Sequence, residues 1–384
     1  TYNIDEAIKL ANSRSQKVVS IIPANIQEKL PPTLTILSPN NGGTVSTKVV
    51  NVSYSVKTPA SAPVRNIRVL VNGRPVSAER GIKVVSATNS TIDINIPEED
   101  CTITLLAENE HGVSPEANLY IKYKAPVRPV DEFVKKPKLY VLAIGVSKYT
   151  NPDYDLNYAA ADARGISAAL MKQKAGLYED VIVKSLIDKE ATREAIQDGL
   201  QWVQDQTTQK DVAMIFFAGH GINDNTGNFY MLPSGADVAR LRSTCVNFED
   251  LKQTVSSISG KVVVFIDACH SGNVMGNTGR RSLTDINVLV NELSSTENGA
   301  ITFTSSTGKE FSLEDPSWAH GAFTKALLEG LSGKASVPGK NKITVKSLDA
   351  YISERVKELT RGKQHPTSVV PPNVPDFPIA IGLQ

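Results

Sequence analysis

"KVVVFIDACHSG", residues 261–272, opens on a run of apolar, largely β-branched residues and closes with a carboxylate, a thiol and an imidazole, Asp267, Cys269 and His270. A continuous apolar run of this length predicts a strand buried on both faces, as in a parallel sheet. Three more runs share its character: "LYVLAIGV" (139–146), "VIVKSLI" (181–187) and "VAMIFFAG" (212–219). Helix-like segments, "YAAADARGISAALMKQ" and "TREAIQDGLQWVQDQ", lie between them. Strands alternating with amphipathic helices predict an α/β unit with a mostly parallel sheet flanked by helices. Two further strands are expected in "GAITFTSS" (299–306) and "FPIAIG" (377–382), with helices in "AFTKALLEGL" and "TVKSLDAYISERVKEL" between them. The polar stretch from about Gly272 to Gly299 predicts a long loop, a length typical of functional or disordered segments.

Upstream the texture changes. Short β-branched runs, "LTILSP", "VVNVSYSVK", "IRVLVNG", "STIDINIP" and "TITLLAEN", are separated by Asn, Gly and Pro turns. Their alternation predicts antiparallel strands with one face on a core, a β-sandwich. With its "VNGRPV" hairpin and "AENEHGVS" turn this segment resembles an immunoglobulin-like or fibronectin-like module, without the paired cysteines of antibody domains. "YKAPVRPVDEFVKKPK" carries three prolines and mixed charge and predicts a linker, and "KLPPT" ends the first segment. The expected organisation is a linker or tail of a missing domain over 1–31, the sandwich over 32–124, a linker over 125–138 and the α/β domain over 139–384.

With 384 residues the chain is long enough for more than one core, and 41% hydrophobic with 21% charged residues is ordinary for a globular protein. A formal net charge of +1 argues against a general nucleic-acid or membrane-surface binder. No run of about 18 apolar residues is present for a membrane span, and the polar start "TYNIDEAIKLANSRSQ" does not resemble a signal peptide. A first residue of Thr rather than Met is expected of a processed or partial chain. Three cysteines cannot form an even disulfide framework. Cys101 and Cys245 are expected as small buried hydrophobes. An unpaired reactive thiol fits a reducing cytoplasm, the compartment expected here, although immunoglobulin-like modules are frequent in secreted and periplasmic proteins.

Ligands of open parallel sheets bind at the carboxyl ends of the strands. Two apolar runs end there in reactive residues: "FFAGHG" delivers His220 and "FIDACHSG" delivers Cys269, 49 positions later. A thiol is strongly nucleophilic as its thiolate, which a nearby imidazole stabilises before protonating the leaving amine. Glycines on both sides of His220 allow a substrate to approach the backbone. Strand alternation puts Asp267 and Cys269 on one side and turns His270 away, so His220 is the expected base.

"FFAGHG", "FIDACHSG" and "HGAFTKALLEGL", in that order over residues 139–384, resemble the caspase-type cysteine peptidases, most closely their prokaryotic metacaspase-like branch. The offset from histidine to cysteine is also that of caspases. The resemblance implies a six-stranded caspase-like sheet and a dyad of His220 and Cys269 that hydrolyses peptide bonds. It also implies an oxyanion hole from the backbone N–H groups of Gly221 and Cys269. Caspases that cut after Asp carry glutamine where this chain has Asp267. Asp162, in "YAAADARG", falls where metacaspases place an acidic pocket residue. Two carboxylates facing one pocket repel each other until a cation arrives, and a guanidinium satisfies both. The expected substrate is therefore a protein or peptide with Arg before the cut, Lys second.

Other residues carry weaker expectations. Arg280 and Arg281, in "NTGRRSLTD", lie where the family's subunits are separated, a place for self-processing or simply a solvated basic pair. His320 matches the family's "HG-x-F-T" segment and is expected to shape the pocket or a helix start. Glu314 and Asp315 are expected as solvated loop acids that could add negative charge. His111 and His365 show no partner pattern. Some metacaspases require calcium; Asp224, Asp237 and Asp285 are scattered with no calcium-loop pattern, so the expectation is no cofactor, with calcium activation an alternative the sequence does not support. A regulatory domain or partner missing from this chain is a further expectation from the resemblance. The competing readings are a binding or scaffold protein with a degenerate peptidase domain, and an Asp-specific protease.

Overall fold

The structure, a computed structural model, describes residues 29–76, 89–124, 136–224, 226–270, 286–295, 299–306 and 312–382; for 89, 269, 270 and 286–289 it describes the backbone alone. Most of the expected first linker, most of the second, and Arg280, Arg281 and Asp285 lie outside these residues.

The N-terminal half is all-β. β1 (Thr33–Ser38), β3 (Val49–Lys57) and β6 (Asn89–Asn95) form one antiparallel sheet in the order β1-β3-β6. The second sheet runs β2 (Gly43–Val45), β9 (Ala117–Tyr123), β7 (Cys101–Asn109), β4 (Asn66–Val71), β5 (Arg74–Pro75), with β8 (Gly112–Val113) on β7. Alternate residues Val50, Val52, Tyr54 and Ile94 meet Ile103, Leu105, Leu119 and Ile121 in one core. Cys101 is buried at its edge. One pairing departs from the antiparallel expectation: β2 lies parallel to β9. After β1 the chain turns at Asn40–Gly43, where Gly42 has φ 80° and the Gly43 N–H bonds Asn40. It thereby leaves the first sheet and joins the second at its edge.

In the C-terminal half the central path is β11 (Val181–Ile187), β10 (Leu139–Gly145), β12 (Val212–Asn223), β15 (Lys261–His270), β16 (Ile301–Thr304), β20 (Thr367–Val369). The first five strands are parallel and β20 is antiparallel. β13 (Phe229–Met231) and β14 (Val246–Asn247) extend the sheet from the upper end of β12. The sixth strand is not the expected one. "FPIAIG" does form β21 (Pro378–Ile381), but β21 pairs with β19 (Lys342–Thr344) in a separate two-stranded sheet. Burial explains why the run misleads: Ile379 and Ala380 are packed in the same core as the main sheet without joining its ladder.

The helices are α1 (Ala159–Met171), α2 (Arg193–Gln206), α3 (Leu241–Thr244), α4 (Phe248–Ser257), α5 (Ile286–Leu293), α6 (Ala322–Glu329) and α7 (Val345–Thr360). α5 corrects the expectation of an uninterrupted loop over 272–299. Helix starts follow the capping rules: Thr192 accepts from Ala195 N–H at α2, and Thr344 and Ser347 cap each other's backbone at α7. Along β15, Val262, Val264 and Ile266 face α2, α4 and α5, while Val263 and Phe265 face α1, α6 and α7. The chain leaves β10 toward β11 on one side and leaves β12 toward β15 on the other. Such a reversal opens a crevice at the strands' carboxyl ends.

The halves touch through the β4–β5 hairpin. Asn72 and Gly73 take positive φ of 51° and 77°, the two-residue turn that an Asn-Gly pair favours. Arg74, 3% exposed, donates from Nη1 to the Val255 carbonyl in α4 at 2.9 Å. Beside it the backbones of Gly73 and Gly299 meet so closely that a Cβ on Gly299 would lie 2.0 Å from the Gly73 carbonyl oxygen. Lys261 and Glu99 form an ion pair at 3.0 Å across the same seam.

Candidate active site

β12 and β15 continue past their apolar runs, and their parallel register sets His220 beside Cys269 and Gly221 beside His270. His220 is 7% exposed. Its backbone N–H donates to the Tyr149 hydroxyl at 3.0 Å, and the two rings lie 5.3 Å apart. The imidazole Nε2 is 2.8 Å from the Tyr154 carbonyl oxygen. A carbonyl can only accept, so Nε2 carries the proton and Nδ1 is the basic nitrogen. Burial holds this imidazole below its ordinary pKa, with the Tyr154 carbonyl pulling the other way. The ring is therefore neutral, as a base must be. Gly221 has no room for a side chain: a Cβ there would sit 2.1 Å from the Phe229 ring.

The two carboxylates expected in the pocket are both buried, Asp162 in the first turn of α1 and Asp267 on β15. Asp162 Oδ1 lies 2.7 Å from His320 Nδ1, and the Gly321 N–H reaches both its oxygens at 3.3 and 3.4 Å. Asp267 Oδ2 accepts from Thr324 Oγ1 at 2.8 Å, and the hydroxyls of Ser305 and Ser312 also bond this carboxylate. The pair converges on one point. A Cβ on Gly321 would lie 3.1 Å from Asp267 Oδ2 and 3.5 Å from Asp162 Oδ2.

Their electrostatics follow from that placement. Burial first, and then the charge of Asp267, push Asp162 up to about 7 against the His320 hydrogen bond. Burial also raises Asp267 against its three hydroxyl donors, and Glu314 adds to the rise. Glu314 thus contributes to the field at Asp267 while accepting from Asn157 at 3.1 Å. Asp315, by contrast, binds the N–H and hydroxyl of Ser317 and stabilises its own turn.

His320 and Gly321 form β18, paired with β17 (Glu314–Asp315) in a small hairpin. His320 therefore contacts Asp162 directly, just before the helix start Gly321–Ala322. Thr324 closes the "HG-x-F-T" segment, whereas Tyr149, Tyr154, Ser305 and Ser312 had no sequence signal, since each acts through a neighbour distant in the chain. Beside the His220 side of the site, Lys148, Tyr149, Asp188, Arg193, Ser234 and Thr244 border an open cleft of about 1060 Å³. The remaining candidates do not assemble. Cys245 is buried, His111 sits 3.5 Å from Glu110, Asp224 binds its own turn through Thr226 and Asn228, and Asp237 pairs with Arg240. Among the described residues no three His, Cys, Asp or Glu side chains form a metal-holding group. No helix among them is long and apolar enough to cross a membrane.

A family model of the caspase domain matches residues 138–374. No curated protein matches the sequence. Among solved structures, protein GSU0716 from Geobacter sulfurreducens is similar at 18% identity and a TM-score of 0.46, over 64% of this chain and 100% of that one. A structure of fibronectin(III)-like modules of Clostridium thermocellum CbhA is similar at 13% identity and a TM-score of 0.20, over 24% of this chain and 98% of that one.

Proposed function

The chain belongs to the caspase family, and from that premise we propose that it is a cysteine endopeptidase using Cys269 and His220, cutting after Arg and less well after Lys. The observation that carries this reading is the register that sets position 269 beside His220 at the carboxyl ends of two central strands. By strand parity, position 269 shares its face with Val263 and Phe265, and position 220 shares its face with Met214 and Phe216 of the same core.

In this reading His220 Nδ1 takes the Cys269 proton, and the thiolate attacks the scissile carbonyl carbon. Tyr154 keeps the ring in the required tautomer and stabilises the imidazolium that forms. The N–H groups of Gly221 and Cys269 bond the oxyanion. The imidazolium then protonates the leaving amine, giving a thioester. Water, activated by the same nitrogen, releases the carboxylic acid and restores the thiol.

The arginine preference rests on the two carboxylates that meet at Gly321. An empty pocket keeps Asp162 partly protonated; an entering guanidinium replaces that proton and bonds both acids. Self-processing is part of the proposal, because Arg280 and Arg281 lie in the segment joining Cys269 to α5. The all-β domain is proposed to be immunoglobulin-like, positioning the peptidase or binding a partner. The test uses fluorogenic peptides ending in Arg, Lys or Asp, with a Cys269→Ala control. Turnover of the Arg peptide that vanishes in the control supports the reading. No turnover would favour a scaffold, and preference for Asp would defeat the pocket assignment.

A further inference from the structure

We propose that His320 sets the preference for arginine over lysine by fixing the rotation of the Asp162 carboxylate, so that Oδ2 faces Oδ2 of Asp267 across Gly321. The inference rests on the arginine pocket of the preceding subsection and adds the residue that orients it. His320 is a positioning residue, since it acts through Asp162.

Three observations carry it. The imidazole is aimed by its backbone: the hairpin pairs His320 with Asp315, and Ala319 before it takes a left-handed φ of 55°, unusual for a residue with a Cβ. The ring is also seated on α1 itself. A Cβ on Gly165 would lie 3.1 Å from His320 Cε1, and Gly165 follows Asp162 by three positions, so both are on one helix face. A side chain there would crowd both the ring and Leu328 Cδ1, also at 3.1 Å, and nudge the imidazole relative to Asp162. Finally, the His320 bond engages Oδ1 of Asp162 at 2.7 Å, leaving Oδ2 with its longer Gly321 contact of 3.4 Å.

The result is two acceptor oxygens held within 3.5 Å of one point beside Gly321, with Glu314 adding charge nearby. A planar guanidinium can offer a separate N–H to each. An ammonium is a compact donor, which two separately fixed acceptors serve less well. Released from His320, the Asp162 carboxylate could turn toward an ammonium and the distinction would shrink.

The test is made on full-length Cys269→Ala protein, so that binding is read without turnover. Nα-acetyl-arginine methylamide and Nα-acetyl-lysine methylamide are titrated calorimetrically into this parent and into versions carrying His320→Ala, His320→Asn or Gly165→Ala. The parent is expected to favour the arginine probe by about tenfold, the worth of one charge-assisted hydrogen bond. In His320→Ala the ratio should fall toward one, and His320→Asn, whose amide can still donate to Asp162, should restore most of it. Gly165→Ala, a small change away from the hairpin, should lower the ratio partway and gives the answer if His320→Ala does not fold. A merely structural role would weaken both probes equally; an unchanged ratio in the variants overturns the role of His320 while leaving the arginine pocket intact. A parent that binds neither probe, or shows no preference, overturns the pocket and this inference together.

Discussion

The two central strands are made of different material along their length. Below, residues 212–218 of β12 and 262–266 of β15 are apolar, at most 3% exposed, and feed two cores by strict alternation. Above, the same ladder presents His220 and Asp267, both 7% exposed and both with shifted ionisation. The lower part obeys every packing rule; the upper part buries polar groups at a cost that core packing does not explain. Foldedness and chemistry are thus separated by a few residues on shared strands.

Mutations should separate them too. Cys269→Ala or His220→Ala should lower turnover of an Arg peptide by about 10³-fold or more while shifting the melting temperature little. Phe216→Ala, in the lower part, should cost about 3–5 kcal/mol in chemical denaturation yet leave kcat of the folded fraction unchanged. If the two kinds of substitution exchange their signatures, the division is wrong.

Asp162→Asn should raise KM for Arg peptides about tenfold or more and raise the melting temperature. Its folded carboxyl sits at about 7 against an ordinary 3.8, so the native state holds an extra proton between those values. Stability linked to that proton is complete below about 4 and lost as pH rises through 7, so the variant's advantage should grow over that window. For the same reason kcat/KM of the unmutated protein on Arg peptides should fall as pH drops below about 7, and Asp162→Asn should remove that limb. A variant less stable at pH 8 than its parent would contradict the account.

Gly221→Ala lies at the border between the two parts. The Phe229 ring must move, a cost of about 1–3 kcal/mol seen by calorimetry together with reduced kcat. The smallest effect concerns the other thiols. Burial raises Cys101 to about 11 and raises Cys245, so brief iodoacetamide treatment at neutral pH should abolish turnover by one alkylation, and Cys245→Ser should leave the rate unchanged. Alkylation of Cys101 in the folded protein would break the distinction.

The lower part was legible in the sequence because burial on both faces writes a continuous apolar run. The run says strand, not partner, which is why "FPIAIG" predicts a sixth sheet strand and instead pairs with Lys342–Thr344. Strands of two or three residues, such as Thr367–Val369, leave no periodicity to detect. Helix α5 did leave one: Ile286, Leu289, Val290 and Leu293 have helical spacing within a stretch whose overall polarity predicts loop. Of the site, His220, Cys269, Asp162 and Asp267 stand out as chemistry at strand and helix ends. The contact between Asp162 and His320 joins residues 158 positions apart, and the carbonyl of Tyr154 has no side-chain signature at all.

The β4–β5 hairpin makes the halves thermodynamic partners. Arg74 comes from one domain and finds its Val255 acceptor in the other, and burial lowers its guanidinium to about 9. Unfolding either half would give up the Arg74–Val255 bond, the Lys261–Glu99 pair and the close Gly73–Gly299 packing at once, so heat should melt the chain as one cooperative unit rather than two beads on a string.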